Sequence, residues 1–222
     1  MKISIITTSI ITLLASASFA EEYTESKYSK YMDTANSTFT SASSISFDVG
    51  WKSSADTLTT GGSLYLQGKG YTYDITGANF SISSTLYLQW ANHNIKDSEI
   101  TAVTGLYTQQ GSVSSIENST LNISDRIYDH RDSASLYIKN STTTLNATGM
   151  SQVVDASSLT FEGGTFTVNG SQSINVKQGS TITFKDMTVD LGASNIATGT
   201  DSKYKDISAK IVIDNAAFTS QS

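Results

Sequence analysis

The feature that most constrains this chain is a recurring ten-residue unit. It is apolar at offsets 0, 2, 7 and 9 and carries Gly, Asn or Asp at offset 4. It is clearest in Leu159, Phe161, Gly163, Phe166 and Val168, and it returns 23 residues later in Ile182, Phe184, Asp186 and Val189. The unit can be laid on starts 64, 86, 114, 136, 159, 182 and 211, with spacings of 22, 28, 22, 23, 23 and 29. Offset 4 is then Gly68, Trp90, Asn118, Asn140, Gly163, Asp186 and Asn215. All but Trp90 are residues that tolerate a left-handed backbone, as a tight corner requires. Short strands of period two, tight corners and a period of 22 to 23 residues describe a stacked coil. The expected fold is all-β: a single-stranded parallel β-helix, a solenoid of about seven rungs and roughly 34 Å long at about 4.8 Å per rung. The longer spacings predict loops leaving the rod near Asn94–Gln110 and Ala193–Lys205.

Three segments precede or make up this rod. Met1–Ala20 has a basic Lys2, an apolar run from Ile3 to Leu14 and a small-x-small site at Ser18-Phe19-Ala20, the pattern of a signal peptide. Its apolar run is too short to span a membrane. Residues 21–44 are charged, tyrosine-rich and then Ser/Thr-rich, which suits a flexible leader or an N-terminal cap. Residues 45–222 are the coil, with Trp51 expected to cover its first rung. An exported chain without cysteine has no disulfides to rely on, so stacked apolar rungs and backbone ladders must hold it. The absence of proline suits a backbone whose N–H groups are used in ladders. A net charge of −6 with no basic cluster argues against nucleic acid as a partner.

Chemistry is sparse. The one dense polar stretch is Asp125 to Asp132, which holds Asp125, Asp129, His130 and Asp132 together with Arg126 and Arg131. Paired carboxylates there could serve as acid and base in a polysaccharide lyase or hydrolase, the alternative functional reading. The plainer reading is a solvated loop between two rungs, its Asp–Arg pairs of little energetic weight. A catalytic set would have to gather carboxylates from at least two adjacent rungs on one face. His93 occupies an otherwise apolar slot and is expected to pack. Two histidines 37 positions apart do not make a zinc site, and no cofactor motif occurs, so neither metal nor cofactor is expected. Asn118 and Asn140, 22 apart, and Asn146 and Asn169, 23 apart, are placed to bond to one another up the rod.

Signal peptide, cysteine-free Ser/Thr/Asn/Gly-rich body and rungs such as Leu159–Val168 and Ser180–Asp186 together resemble the passenger domains of Gram-negative autotransporters and related adhesins. The resemblance covers residues 45–222 and rests on texture and repeat. It implies a right-handed parallel β-helix displayed at the cell surface as an adhesin or structural rod. Its partners would be a host or neighbouring-cell surface, glycans among them. Tyr71, Tyr73, Tyr87, Trp90 and Tyr107 are the candidate contacts. Such proteins end in an outer-membrane barrel, whose strand pattern this sequence lacks. Secretion without the barrel, a truncated gene and another export route are all compatible with that. The last rung, Ile211 to Phe218, has no cover after it in the sequence, so it is expected to be continued or covered by another segment.

Overall fold

The computed structural model describes residues 32–33, 38–47, 51–54, 56–146, 150–199 and 207–220, the side chains of 32–33, 51–54 and 126–129 excepted. The expected signal peptide lies outside the described residues. The chain is a parallel solenoid of three faces, visited in the same order on each turn. The second face is an 8-stranded sheet from Ile45–Phe47 to Asn195–Thr198, so its strands bound seven steps of the coil. The first and third faces merge into one 16-stranded sheet. They join at a shallow corner that the strands Ser135–Leu145 and Ser158–Val168 cross unbroken.

Alternation builds the interior. Along each strand every second residue points inward, and parallel pairing places like positions above one another. Phe39, Leu58, Phe80, Ile100, Leu121, Thr143, Phe166, Val189 and Phe218 form the inward column of the first face. From Leu58 onward its steps are 22, 20, 21, 22, 23, 23 and 29 residues. The third face carries Tyr73, His93, Ser114, Leu136, Leu159, Ile182 and Ile211 in one inward column. Burying such a stack of apolar side chains, each worth about 1.5–3 kcal/mol, offsets the entropy of ordering a disulfide-free chain.

The register corrects the sequence reading at four places. Starts 114 to 211 lie on the third face, but starts 64 and 86 lie on the second, where Leu64 pairs with Leu86 and Leu86 with Leu106. The 28-residue spacing therefore joined two different faces. No loop leaves the rod at 94–110. Asn92–Lys96, Glu99–Ala102 and Gly105–Gln109 are the three strands of an ordinary turn. At the far end Asn195–Thr198 remains in the second face, which moves the insertion to the stretch between Gly199 and Lys210. The coil also begins earlier than residue 45. Thr38–Ser41 already pairs parallel with Thr57–Thr60, and Met32–Asp33 closes over it antiparallel. Trp51 heads the first strand of the third face, beside Tyr73.

The corner between the third and first faces explains the turn residues. Gly77, Asp97, Asn118, Asn140, Gly163, Asp186 and Asn215 all have φ between 48° and 68°. Inside that corner a serine column satisfies the turned backbone. Ser98, Ser119 and Ser141 each donate to the carbonyl two residues back, at 2.6–2.7 Å. Each also accepts the N–H of the preceding rung's corner, at 3.0–3.1 Å. Outside it, Asn118 donates to Asp97 at 3.3 Å and Asn215 to Asp186 at 2.7 Å. The expected bond between Asn169 and Asn146 forms at 2.9 Å.

The serine column stops at Gly164. This residue follows Gly163 with a second positive φ, 74°, and a Cβ there would overlap the Ser141 backbone carbonyl. Gly164→Ala is expected to cost about 2 kcal/mol or more, from left-handed strain together with a clash against backbone that cannot retreat. Urea unfolding measures it, and an unchanged midpoint would refute the account.

Candidate functional site

The Asp125–Asp132 stretch is built around a strand. Arg126–His130 lies in the second face against Gly105–Gln109, with Leu106 opposite Ile127 and Thr108 opposite His130. The chain takes three steps where its neighbour takes two, so the loop expected here is a β-bulge. The bulge turns His130 inward. Its ring is fully buried, Nδ1 is hydrogen-bonded to the Thr108 hydroxyl, and Nε2 has no partner among the described residues. Burial lowers its pKa to about 3, so it is neutral and shut away from any substrate.

The carboxylates of this stretch lie at opposite corners. Asp125 precedes the strand, and its carbonyl accepts from Gln172. Asp132 follows the strand, exposed, at φ 55°. They lie seven positions apart, roughly 20 Å along a strand, beyond the reach of a paired acid and base. The Asp129 side chain lies outside the described residues. Asp155 occupies the corner of the next rung, where its carbonyl accepts the N–H of Ser133. Among the described residues no three His, Cys, Asp or Glu side chains gather where a metal ion could sit.

The aromatic candidates divide by face. Tyr73 is fully buried, its hydroxyl 2.6 Å from the Gln67 carbonyl and 2.9 Å from that of Phe47. Its ring stacks on His93 at 5.2 Å. His93 packs as expected. Nε2 donates to the Leu66 carbonyl at 2.9 Å, which leaves Nδ1 to accept from Ser114 at 3.0 Å. Tyr73 is therefore core and not a surface contact.

The others stand together. On the outer side of the second face Tyr65, Tyr87 and Tyr107 are in register, and beside them run Gln67, Gln89 and Gln109. Tyr65 and Tyr87 stack at 4.3 Å with rings within 2° of parallel, and Tyr107 meets Tyr87 edge-on at 4.9 Å. Gln89 donates to Gln109 at 2.9 Å, and Gln67 to Ser46 at 2.7 Å. At the corner that follows, Trp90 is 45% exposed and Tyr71 41%. The result is a strip of aromatic edges bordered by amides. It can offer apolar contact and, through the half-buried Gln67 and Gln109 rather than the buried Gln89, hydrogen bonds to a flat polyhydroxylated surface. Tyr65 and the three glutamines were missed from the sequence, although the signal is plain: Leu-Tyr-Leu-Gln at 64–67 and 86–89, and Leu-Tyr-Thr-Gln at 106–109.

A second row runs up the outside of the third face. Lys96, Glu117, Lys139, Glu162, Lys185 and Asp214 occupy one register position on successive rungs, alternating in sign. Lys96 lies 3.5 Å from Glu117, and Lys185 3.5 Å from Glu162. Tyr137 donates to Glu162 at 2.6 Å, which raises the tyrosine to about 12 and lowers the glutamate. Exposed pairs of this kind contribute little each, but alternation spares the rod a column of like charges one rung apart. Comparison of the chain with protein-family models, with curated proteins and with solved structures returns no match.

Proposed function

We propose that this chain is an exported, surface-displayed rod of the adhesin or structural-passenger kind, and that it meets its target through the second face. The observation that carries the reading is the in-register strip of Tyr65, Tyr87 and Tyr107 with Gln67, Gln89 and Gln109, flanked by the exposed Trp90 and Tyr71. Aromatic edges with adjacent amides suit the apolar faces and hydroxyls of a glycan, and a repeated strip suits a repeated ligand. The leader-like Met1–Ala20 supports export, and a solenoid whose outer face repeats the same side chains rung by rung supports a scaffold role.

The test is retention of the purified chain on immobilised oligosaccharides and on whole cells. Trp90→Ala and, separately, Tyr87→Ala are expected to weaken retention about tenfold. Lys96→Ala on the third face should leave it unchanged. A parent chain that binds neither surface, or strip variants that bind as the parent does, would overturn the proposal.

A further inference from the structure

We propose that two copies of this chain join tail to tail through the strand Lys210–Asp214, which is self-complementary when paired antiparallel with its own copy. Among the described residues this strand pairs on one side only, with Thr181–Lys185. The inward residues of this last rung are left open: Ile213 is 58% exposed, while Ile211 and Phe218 are half-buried. A parallel edge of this length with apolar residues is a template for further pairing.

The backbone selects which residues can pair. The Lys210 N–H donates to Ser180, and the Asp214 carbonyl accepts from Asp186, both at 2.9 Å. In a parallel ladder, bonding direction alternates, so Lys210, Val212 and Asp214 bond into the rod. Ile211 and Ile213 therefore turn their N–H and C=O groups outward, along the free edge. An antiparallel partner must meet these two residues as hydrogen-bonded pairs. A two-fold axis through Val212, pointing into the rod, does this: Ile211 faces Ile213 of the other copy, and Ile213 faces its Ile211. Inward residues stay inward, so the two open apolar ends close on each other.

Charge then fixes the register. Centred on Val212, the sequence Lys-Ile-Val-Ile-Asp sets each Lys210 opposite Asp214 of the other copy, twice per dimer. The alternating row on the third face is continued across the join. Glu162, Lys185 and Asp214 are followed by Lys210 of the second copy, so the sign changes at every step. Centring on Ile211 or Ile213 breaks both pairs. The interface is isologous and closes at two copies.

Sedimentation of the full chain over a wide range of concentrations is expected to approach twice the 23.7 kDa chain mass. Lys210→Asp leaves the Lys185–Asp214 step intact but opposes Asp to Asp, and should weaken dimerisation about tenfold or more. The double variant Lys210→Asp/Asp214→Lys exchanges the charges across the join, while setting a lysine beside Lys185 within each copy, and should recover the larger part of the dimer. That rescue is peculiar to the antiparallel self-pairing and would not follow from a general loss of apolar contact. A chain that stays monomeric, open-ended association, an unaffected Lys210→Asp dimer or failure of the double variant to recover would each overturn the proposal.

Discussion

Phe184→Ala is expected to destabilise the rod by about 3–5 kcal/mol, as large-to-small changes at buried aromatics do. Phe184 is fully buried where three rungs meet. Its ring stacks on Phe161 at 5.4 Å and 3°, lies 5.8 Å from Phe166, and takes the edge of Phe218 at 5.4 Å. Truncation removes all three contacts and leaves a cavity that sheets on either side cannot close, because their spacing is fixed by the ladders. In a solenoid each rung is stabilised by its neighbours, so the loss should fall first on the rungs beyond it. Hydrogen exchange should show protection falling across 188–219 while 57–123 keeps its own. Phe184→Leu, which retains most of the volume, should recover the larger part of the loss. A change under about 1 kcal/mol, or loss of protection spread evenly along the chain, would contradict this picture.

That locality explains why the fold was legible in the sequence. Each rung must repeat the positions that face inward, so the pattern at Leu159–Val168 and Ile182–Val189 survives as a period. The corner chemistry is equally local. Asn118, Asn140, Gly163, Asp186 and Asn215 are named by their ability to hold φ near 50–70°, and that ability is a property of each residue alone. What the sequence leaves ambiguous is which face a given unit occupies. Leu86-Tyr87-Leu88 on the second face and Leu136-Tyr137-Ile138 on the third read alike, because both need apolar residues inward and tolerate tyrosine outward. Trp90 misled further. Its φ of 55° is a left-handed corner, but on the following edge of the rod, and a bulky exposed residue gives no sign of it.

The candidate site was less legible, for the opposite reason. Outward residues are under no packing constraint, so meaning resides in their stacking, and stacking appears only when the register is right. With 64 and 86 set above 114, Tyr107 stands alone and the glutamines are invisible. With 106 beneath 86, both rows emerge. The charges of 125–132 were overweighted because a bulge that buries His130 leaves no mark in composition.

The two buried histidines make the rod acid-sensitive, with stability falling as pH drops from about 6.5 toward 4.5. Burial lowers His93 to about 4, opposed by its hydrogen bond to the Leu66 carbonyl, and burial alone lowers His130 to about 3. In the unfolded chain both would titrate near about 6.5. Above that value neither state carries the proton, and the full stability is present. Below it the unfolded chain binds two protons that the folded chain refuses until its own lower values are reached. Stability then falls by about 1.4 kcal/mol per pH unit for each histidine, about 3 kcal/mol from His93 alone by pH 4. Glu162, lowered chiefly by its hydrogen bond from Tyr137, adds its own loss only as pH falls through the ordinary carboxylate range, below that of the histidines. Urea midpoints taken from neutral pH down to about 4.5 therefore isolate the histidines. His130→Leu should halve the slope in that window, whatever it does to stability at neutral pH. His93→Phe, which keeps a ring to stack on Tyr73, should remove the other half. A flat profile above pH 4.5 would mean that the imidazoles take up protons in place and are not held neutral by the core, and a slope that both variants leave intact would mean that other groups carry it.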